Sequence, residues 1–382
     1  MPKMEYLIFE NIPSSLKERE KILAVNIDVS GIQKFIFGSK TILDLEKDFS
    51  NKSRFVAALT QKICGKLQRE FKDFVLFSDI GGRILCGFKR TRNEKRVIMC
   101  LDSIQRDIFI LTKGKLQIFY GVCPCRVTKN PESPSVLPTL TTLALKNKYS
   151  CKNILFAELQ SPPDMSLLPE EGEHSSASPP QNAAALKLDL DNLGVYFSSI
   201  PQVDKSREAS VILNNIICAA AGNAIYAGGD DIFIALPFKD ALTGAAEVYN
   251  RLKSNIALQL PLYHPHFGVS AGMCEVGNSV CAVPAVFYLQ KSEEFLEKAK
   301  KQKGKNSICV EGECFSWEEF LFLAHLQKKY EDVLKARMGE EFMRKYPLRP
   351  SLLKQDLLKI HREARRKGEA ILTSEEEKAL ER

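Results

Sequence analysis

Short apolar runs alternate with amphipathic stretches along most of the chain. Residues 21–30 form a nearly continuous apolar run, which predicts a buried strand. The apolar spacing over 54–71 and 96–111 predicts two helices, with a hairpin over 74–88 between them. A further strand is predicted over 116–122. This β-α-β-β-α-β order is that of a ferredoxin-like domain, so an α+β fold is expected.

The same order begins again in the second half of the chain. A strand is predicted over 185–192, a hairpin around 226–236, a helix over 241–258 and a strand over 267–272. Between the halves, residues 160–184 are rich in proline, serine and glutamate, which predicts a flexible linker. Two copies of one domain explain this repetition economically, and two unrelated α+β domains are the alternative.

Sequence landmarks support the duplication. Three landmarks of the first half have counterparts in the second: Asp28 with Asp189, Gly81-Gly82 with Gly228-Gly229, and Gly121 with Gly268. The hairpin glycines and the strand glycine are separated by the same number of residues in both halves. Because chance rarely preserves several landmarks in order, we predict an internal duplication.

The predicted organisation is a first domain over 1–159, the linker over 160–184, a second domain over 185–314 and a helical region over 315–382. The helical region opens with Ser316-Trp317-Glu318-Glu319, the pattern of a capping box. Arginines and lysines gather in this region. They suit either a solvated helix face or contacts with an RNA backbone.

Composition narrows the function without identifying it. The 382 residues carry a formal net charge of +7, which permits binding to a polyanion. No run of about 18 apolar residues and no basic-then-apolar leader occurs, so a soluble, cytoplasmic protein is expected. The 11 cysteines are scattered, which suits reduced thiols. Cys123-Pro124-Cys125 has no second Cys or His pair at zinc spacing.

The hairpin of the second half carries two adjacent acids. Gly228-Gly229 is followed by Asp230 and Asp231, and Asp189 lies at the end of the preceding predicted strand. We expect these carboxylates to meet at one sheet edge and to bind Mg²⁺ or Mn²⁺. Such hard cations take their remaining ligands from water and from substrate phosphates. An Asp-rich turn without a metal is the alternative.

A triphosphate needs hydrogen-bond donors and positive charge beside the metal. The predicted nucleotide-binding residues share a place next to these acids: Asn192, Leu193, Gly194, Gly228, Gly229, Lys300 and Lys305. The turn over 192–194 would offer backbone N–H groups. The two lysines would add positive charge, and a solvated basic run is the alternative for them.

The first half lacks the acid pair, because its hairpin reads Gly81-Gly82-Arg83-Ile84. We therefore expect this half to be non-catalytic. Ser30, at the end of its predicted strand, and Gly31, which follows, would either contact a nucleotide or serve only the fold.

With these motifs assembled, the chain resembles the large subunit of type III CRISPR effector complexes, the CRISPR polymerase family. The motifs that carry the resemblance lie in order between about residues 21 and 312: 28–37, 189–194, 226–231, 270–272 and 305–306. They look like the two palm domains of that family, and the basic helical tail is similar to its C-terminal domain.

The resemblance implies synthesis of cyclic oligoadenylates from ATP once partner subunits and a guide RNA have bound a target RNA. It also implies that Asp189, Asp230 and Asp231 bind metal and are catalytic, while the 3′-hydroxyl of one ATP attacks the α-phosphate of another. Many members begin with a His-Asp nuclease domain, and many carry a cysteine zinc module between the palms. Neither pattern is found in this sequence, so no nuclease activity is expected.

Two other functions stay open at this point. A free-standing nucleotide cyclase or oligonucleotide synthase would share the palm fold and the Gly-Gly-acid-acid hairpin. A catalytically silent RNA-binding scaffold would share the fold alone. Adjacent carboxylates repel one another unless a cation lies between them, which argues against the scaffold.

Overall fold

The structure is a computed structural model that describes residues 4–32, 58–80, 82–89, 93–150, 164, 167, 183–222, 226–228, 231–276, 285–339 and 348–381. The chain divides into two compact units, one containing Met1–Ala177 and Leu193–Ile216, the other Ser178–Asn192 and Ile217–Arg382. Each unit has its own β-sheet with helices, which confirms the α+β class. Nearly all of the predicted linker and the first residues of the helix predicted over 54–71 lie outside the described residues. The three boundaries drawn from the sequence stay a prediction.

The first unit is built on a five-stranded sheet of order β1-β5-β2-β4-β3. Its strands are β1 (Tyr6–Ile8), β2 (Lys21–Ser30), β3 (Phe74–Ile80), β4 (Arg83–Phe88) and β5 (Gln117–Thr128). Its helices are α1 (58–70), α2 (Glu94–Leu111) and α3 (Leu137–Ser150). Apolar residues of α1 and α2 pack with β2 and β4 in one core cluster, and Leu140 of α3 belongs to a second cluster with Ile22 and Ala24 of β2. The sheet is therefore covered on both faces.

The second unit contains a six-stranded sheet of order β11-β10-β9-β6-β8-β7. Its strands are β6 (Ala183–Leu190), β7 (Tyr226–Gly228), β8 (Asp231–Pro237), β9 (Val269–Val276), β10 (Ser307–Val310) and β11 (Glu313–Ser316). Between β6 and β7 the chain forms α4 (Leu193–Ser198) and α5 (Val203–Ala221), which belong to the first unit as far as Ile216. Helices α6 (Ala241–Gln259) and α7 (Ala285–Lys300) belong to the second unit. Helix α5 and the strands β10 and β11 were not predicted.

The two sheets share one arrangement, in which a central strand pairs antiparallel with the second hairpin strand and with a later strand. These are β2, β4 and β5 in the first unit, and β6, β8 and β9 in the second. Asp28 of β2 lies opposite Arg83, and Asp189 of β6 lies opposite Asp231. The strand register thus supports the duplication and the match of Asp28 with Asp189.

The register corrects the other two landmark pairs. Ile80 pairs with Arg83 in one hairpin and Gly228 pairs with Asp231 in the other, so the glycine-to-glycine match is wrong by one residue. Arg83 therefore occupies the position of Asp231. The equal spacing of glycines was a coincidence, because spacing alone does not show which residues face each other across strands.

The counterpart of Gly121 is Gly272, not Gly268. Gly121 pairs with Asn26, two residues before Asp28, and Gly272 pairs with Lys187, two residues before Asp189. A Cβ at either glycine would come closer than 3.0 Å to the backbone of a helix, α3 at Gly121 and α7 at Gly272. Both glycines are required because a helix backbone crosses the strand there at close range.

The residue at the start of the loop after each central strand has a left-handed backbone. Gly31 has φ 85° and Asn192 has φ 62°, and each lies three residues after the matched aspartate. A Cβ at Gly31 would collide with the carbonyl oxygen of Lys115, so only glycine fits. Asparagine tolerates this conformation better than most residues, which accounts for Asn192.

Within the described residues that follow β11, the structure has four helices, α8 (Trp317–Lys329), α9 (Glu331–Met338), α10 (Pro350–Arg365) and α11 (Ser374–Glu381). The predicted capping box is confirmed, with both hydrogen bonds between Ser316 and Glu319 present. Trp317 stacks on Tyr249 of α6 at 4.2 Å and donates from Nε1 to the carbonyl oxygen of Val269 at 2.6 Å. Helix α8 is therefore anchored on the second sheet. No helix within the described ranges is both long and apolar enough to cross a membrane.

Part of the basic charge of α10 is neutralised inside the chain. Arg362 lies 3.2 Å from a carboxylate oxygen of Glu381, and Arg365 lies 3.3 Å from one of Glu377. Both acids belong to α11. These two arginines consequently have carboxylate partners at the surface, a third alternative to solvation and to RNA contact.

Glu376 of α11 is held by several donors. It accepts hydrogen bonds from Lys329 Nζ at 2.7 Å, the Tyr330 hydroxyl at 2.8 Å and the Thr373 N–H at 2.9 Å. Burial alone would raise the pKa of this carboxyl, but the donors together lower the pKa from 4.5 to about 2.

Replacing Glu376 by glutamine should remove an acid-sensitive part of the stability. A carboxyl with a depressed pKa stabilises the fold fully above its unfolded pKa, and this contribution is lost as the pH falls through the folded pKa. The difference in unfolding free energy between wild type and variant should therefore be constant at neutral pH and shrink from pH 4.5 towards about 2. Urea unfolding at a series of pH values measures it. A difference independent of pH over this range would contradict the prediction.

Candidate nucleotide and metal site

Two of the predicted acids meet on one face of the second sheet. Asp189, near the end of β6, lies directly opposite Asp231, the first residue of β8. Their side chains are 16% and 26% exposed. Directly opposite residues of antiparallel strands point to the same face, and two like charges in this arrangement repel each other. Gly229 and Asp230 lie outside the described residues.

Lys300 lies against the first of these acids. Its Nζ is 3.1 Å from Asp189 Oδ2 and 3.4 Å from Glu297. Burial lowers the pKa of Lys300, but the two carboxylates more than offset this and raise the pKa above its ordinary value. Lys300 is the last residue of α7, so this helix delivers a cation to Asp189. Lys305 is exposed in the following loop, with φ 53°.

A second lysine reaches the site from within the sheet. Lys187 lies two residues before Asp189 and is 3% exposed, with Nζ 3.7 Å from Asp231 Oδ1. It also forms a close ion pair with Glu293 of α7. The sequence reasoning missed both residues, although a lysine inside an apolar strand is a signal that could have found them.

Asp191 ties together three loops around the site. Its carboxylate accepts hydrogen bonds from Ser270 Oγ at 3.0 Å and from the Asn306 N–H at 3.1 Å. Its carbonyl oxygen accepts from the Tyr263 hydroxyl at 2.6 Å. Asn306 in turn accepts from the Val269 N–H at 3.1 Å. Asp191 is 2% exposed, so its role is to position the turn that follows Asp189.

Replacing Asp191 by alanine should destabilise the chain by about 3 kcal/mol, because the buried Ser270 hydroxyl and the partly buried Asn306 N–H lose their acceptor. Chemical denaturation measures this change. Asp240 offers a matched control, since it is exposed and makes no side-chain hydrogen bond at the start of α6. Asp240→Ala should change the unfolding free energy by less than about 0.5 kcal/mol. Equal effects of the two substitutions would contradict the role given to Asp191.

The predicted nucleotide-binding turn follows directly from Asp191. Asn192 is exposed, and its side-chain amide donates to the carbonyl oxygen of His266 at 3.1 Å. Leu193 is buried, and Gly194 is exposed in the first turn of α4. A Cβ at Gly194 would touch nothing within 4 Å, so the backbone here is open. Gly228 ends β7 opposite Asp231.

The corresponding face of the first unit holds a cation, Arg83, where the second unit holds an acid, Asp231. Asp28 is opposite Arg83, and the register of α3 and α7 against the matched glycines places Lys148 where Lys300 stands. Burial raises the pKa of Asp28, with Arg83 and Lys148 acting in the opposite direction. A carboxylate faced by a guanidinium is a poor start for a metal site. Ser30 lies opposite Gln117, and Gly31 begins the loop.

The donor set of the second unit fits a hard divalent cation. Within the described ranges no group of three or more His, Cys, Asp or Glu side chains could hold a metal. Mg²⁺, however, is commonly bound through one or two carboxylates, with waters and substrate phosphates completing its shell. Asp189 and Asp231 supply such a pair.

Part of the second unit matches a known protein family. Residues 182–309 match the family model for the second palm domain of Cas10/Cmr2. This segment contains the 189–194 turn, the hairpin acids and the 270–272 motif, and it confirms the resemblance that these motifs indicated. Among curated proteins, none matches the chain.

Solved structures with a similar fold include a Csm1–Csm4 cassette in complex with one ATP, with a TM-score of 0.58, 14% identity, and coverage of 89% of this chain and 65% of that one. The cassette in complex with cA3 has a TM-score of 0.57 and 14% identity, with the same coverage. Csm1 of T. onnurineus has a TM-score of 0.53 and 15% identity, covering 84% of this chain and 58% of that one. The chain spans less than two thirds of the length of these three, and at such identity the likeness concerns the fold.

Proposed function

We propose, from the premise that residues 182–309 are a Cas10/Cmr2 second palm domain, that this chain joins ATP into cyclic oligoadenylates as the large subunit of a type III CRISPR effector complex. The observation that carries the proposal is the pair Asp189 and Asp231, directly opposite on neighbouring strands of that domain. The similar Csm1–Csm4 cassettes were crystallised with ATP and with cA3, which supports ATP as substrate and a cyclic adenylate as product.

Each residue around Asp189 and Asp231 has a proposed role that follows from its position. Asp189 and Asp231, together with the neighbouring Asp230, would hold Mg²⁺ or Mn²⁺. Such an ion, when bound, neutralises charge on the reacting phosphate and activates the attacking 3′-hydroxyl. Lys300 and Lys305 would offset the charge of the triphosphate. The turn over 192–194 and the hairpin glycines Gly228 and Gly229 would hold phosphate through backbone N–H groups.

The first unit has a supporting part in this proposal. Ser30 and Gly31 would contact a second nucleotide whose 3′-hydroxyl or α-phosphate reacts. In this unit Arg83 stands where the second unit has the hairpin acid Asp231. The first unit would therefore not bind a metal through a pair of opposite carboxylates. The partners would be the other subunits of the complex, a guide RNA and a target RNA.

A product assay tests the proposal. The purified chain is incubated with ATP or GTP and Mg²⁺, with and without the guide complex and target RNA, and products are identified by mass. We expect adenylate rings that depend on target RNA. Products from GTP without RNA would indicate a free-standing cyclase, and no product in the assembled complex would indicate a silent scaffold. Either outcome would overturn the proposal.

A further inference from the structure

Lys187 is a buried cation in β6, whose other residues apart from Asp189 are alanines and leucines. Its neighbours across the sheet are Phe233 and Gly272, and its charged partners are Glu293 and Asp231. Taking an ammonium out of water is costly, and well-packed apolar residues often replace a buried ion pair without loss of stability. The stability of the fold therefore gives no reason for a lysine at this place.

The first unit is a comparison within the same chain. Asn26 occupies the place of Lys187, because Asn26 pairs with Gly121 as Lys187 pairs with Gly272. Asn26 is buried, as Lys187 is, but it carries no charge. The same sheet position thus accepts a neutral side chain.

The helices that cross these two strand positions, α3 and α7, also differ in charge. A Cβ at Gly121 would meet the backbone of Leu140 and Ala144, and one at Gly272 would meet the backbone of Ser292 and Leu296. This common register places Thr141 where α7 has Glu293. The Thr141 hydroxyl donates to the carbonyl oxygen of Leu137 in its own helix at 3.1 Å.

The ion pair of Lys187 and Glu293 is therefore present only in the unit whose hairpin carries an acid. Where the hairpin has Asp231, the sheet and helix have Lys187 and Glu293. Where it has Arg83, they have two uncharged residues. A pair needed only for packing would have no reason to follow the charge of the hairpin residue.

We propose that Lys187, itself held by Glu293, is a positioning residue that holds the Asp231 carboxylate opposite Asp189 and sets the affinity of this acid pair for a divalent cation. The inference rests on the proposed function for the role of Asp231 as a metal ligand. At 3.7 Å the Lys187 ammonium attracts the Asp231 carboxylate through its charge, at a separation longer than that of a direct hydrogen bond. Glu293 shares the lysine charge and limits its hold on Asp231.

The two partners are expected to act with opposite sign. Lys187→Met removes a positive charge from the site, so Mn²⁺ should bind more tightly. Glu293→Gln removes a negative charge and leaves Lys187 to Asp231 alone, so Mn²⁺ should bind more weakly. Each change in dissociation constant should be on the order of tenfold at low salt. Turnover of Lys187→Met at saturating metal should fall, because Asp231 is no longer oriented, and Lys187→Arg should restore part of it.

Electron paramagnetic resonance of free Mn²⁺, titrated with the full-length protein, measures binding without any turnover. Asp189→Ala should abolish this binding and identifies the site observed. Glu294→Gln is the matched control on α7, because Glu294 is exposed and pairs with Lys298 at 2.9 Å. It should leave the Mn²⁺ affinity unchanged. Glu293 is 40% exposed, so its variant should fold.

Equal Mn²⁺ affinities in wild type, Lys187→Met and Glu293→Gln would overturn the inference, as would a loss of affinity in both variants, which is the mark of structural damage. Absence of Mn²⁺ binding by the wild type would overturn it as well. Opposite shifts in a protein that makes no adenylate would support the inference and contradict the proposed function. Adenylate synthesis with equal affinities would do the reverse.

Discussion

Asp231→Asn is expected to lower the rate of oligoadenylate formation by about a thousandfold, because an amide keeps the volume of the carboxylate but not its charge. Asp189→Asn should have an effect of similar size, since the two acids lie opposite each other on adjacent strands. If both acids hold one cation, the double variant should be hardly slower than either single one, as residues that act as a unit are not additive. Mass-resolved product assays under saturating ATP and metal measure these rates.

Asp28→Asn is the matched control for this experiment. Asp28 has the same strand position in the first unit, but it faces Arg83 instead of an acid. Its replacement should leave the Mn²⁺ affinity of the chain unchanged, whereas Asp189→Asn should reduce it strongly. An Asp28 variant that loses Mn²⁺ binding to the same degree would contradict the assignment of the metal site to the second unit.

Gly272→Ala is expected to lower the unfolding free energy by about 3 kcal/mol, a large loss for the addition of one methyl group. The added Cβ would lie closer than 3.0 Å to backbone atoms of Ser292, Phe295 and Leu296, which cannot turn away as a side chain can. Helix α7 would have to move off β9 and β6. Because α7 also carries Glu293 and Lys300, the same substitution should weaken Mn²⁺ binding in the fraction that stays folded.

Two glycines complete the test of this packing. Gly121→Ala should be as destabilising, since α3 crosses β5 at the same close range. Gly65→Ala, within α1, should be neutral or stabilising by up to about 1 kcal/mol, because nothing lies within 4 Å and alanine favours a helix. Thermal and chemical unfolding measure all three. A Gly272 variant as stable as the Gly65 variant would show that α7 does not sit as close to β9 as described.

The structure distinguishes aspartates that are proposed to bind metal from an aspartate that stabilises the fold. Asp189 and Asp231 are proposed to hold the cation, whereas Asp191, two residues further along, is engaged by Ser270 and Asn306 and serves the fold. The sequence motif alone does not distinguish the two aspartates, because Asp189 and Asp191 both stand within two residues of the end of the same strand, β6. The role given to Asp191 rests on its own partners, since a carboxylate that accepts from Ser270 and Asn306 has less capacity left for a metal.

Much of the fold could be predicted from the chain itself. Strand β2 covers the predicted 21–30, and α6 begins at the predicted residue 241. Long elements with a strong hydrophobic period are readable because each repeats one face many times. The short strands β10 and β11 were missed, since four residues are too few to show a period.

The sequence by itself determined that the chain repeats a ferredoxin-like order, that one hairpin carries acids, and that Asp189 ends a buried strand. Only the tertiary structure decided which residues face each other. The glycine-to-glycine alignment would have matched Asp231 with Ile84, but the strand register matches it with Arg83. The fold also places Glu293 beside Lys187, although 106 residues separate them in the chain. The reason is that facing partners depend on strand register and on the helix that crosses the sheet. A shift of one residue in register turns a side chain to the other face, and composition and spacing do not record it.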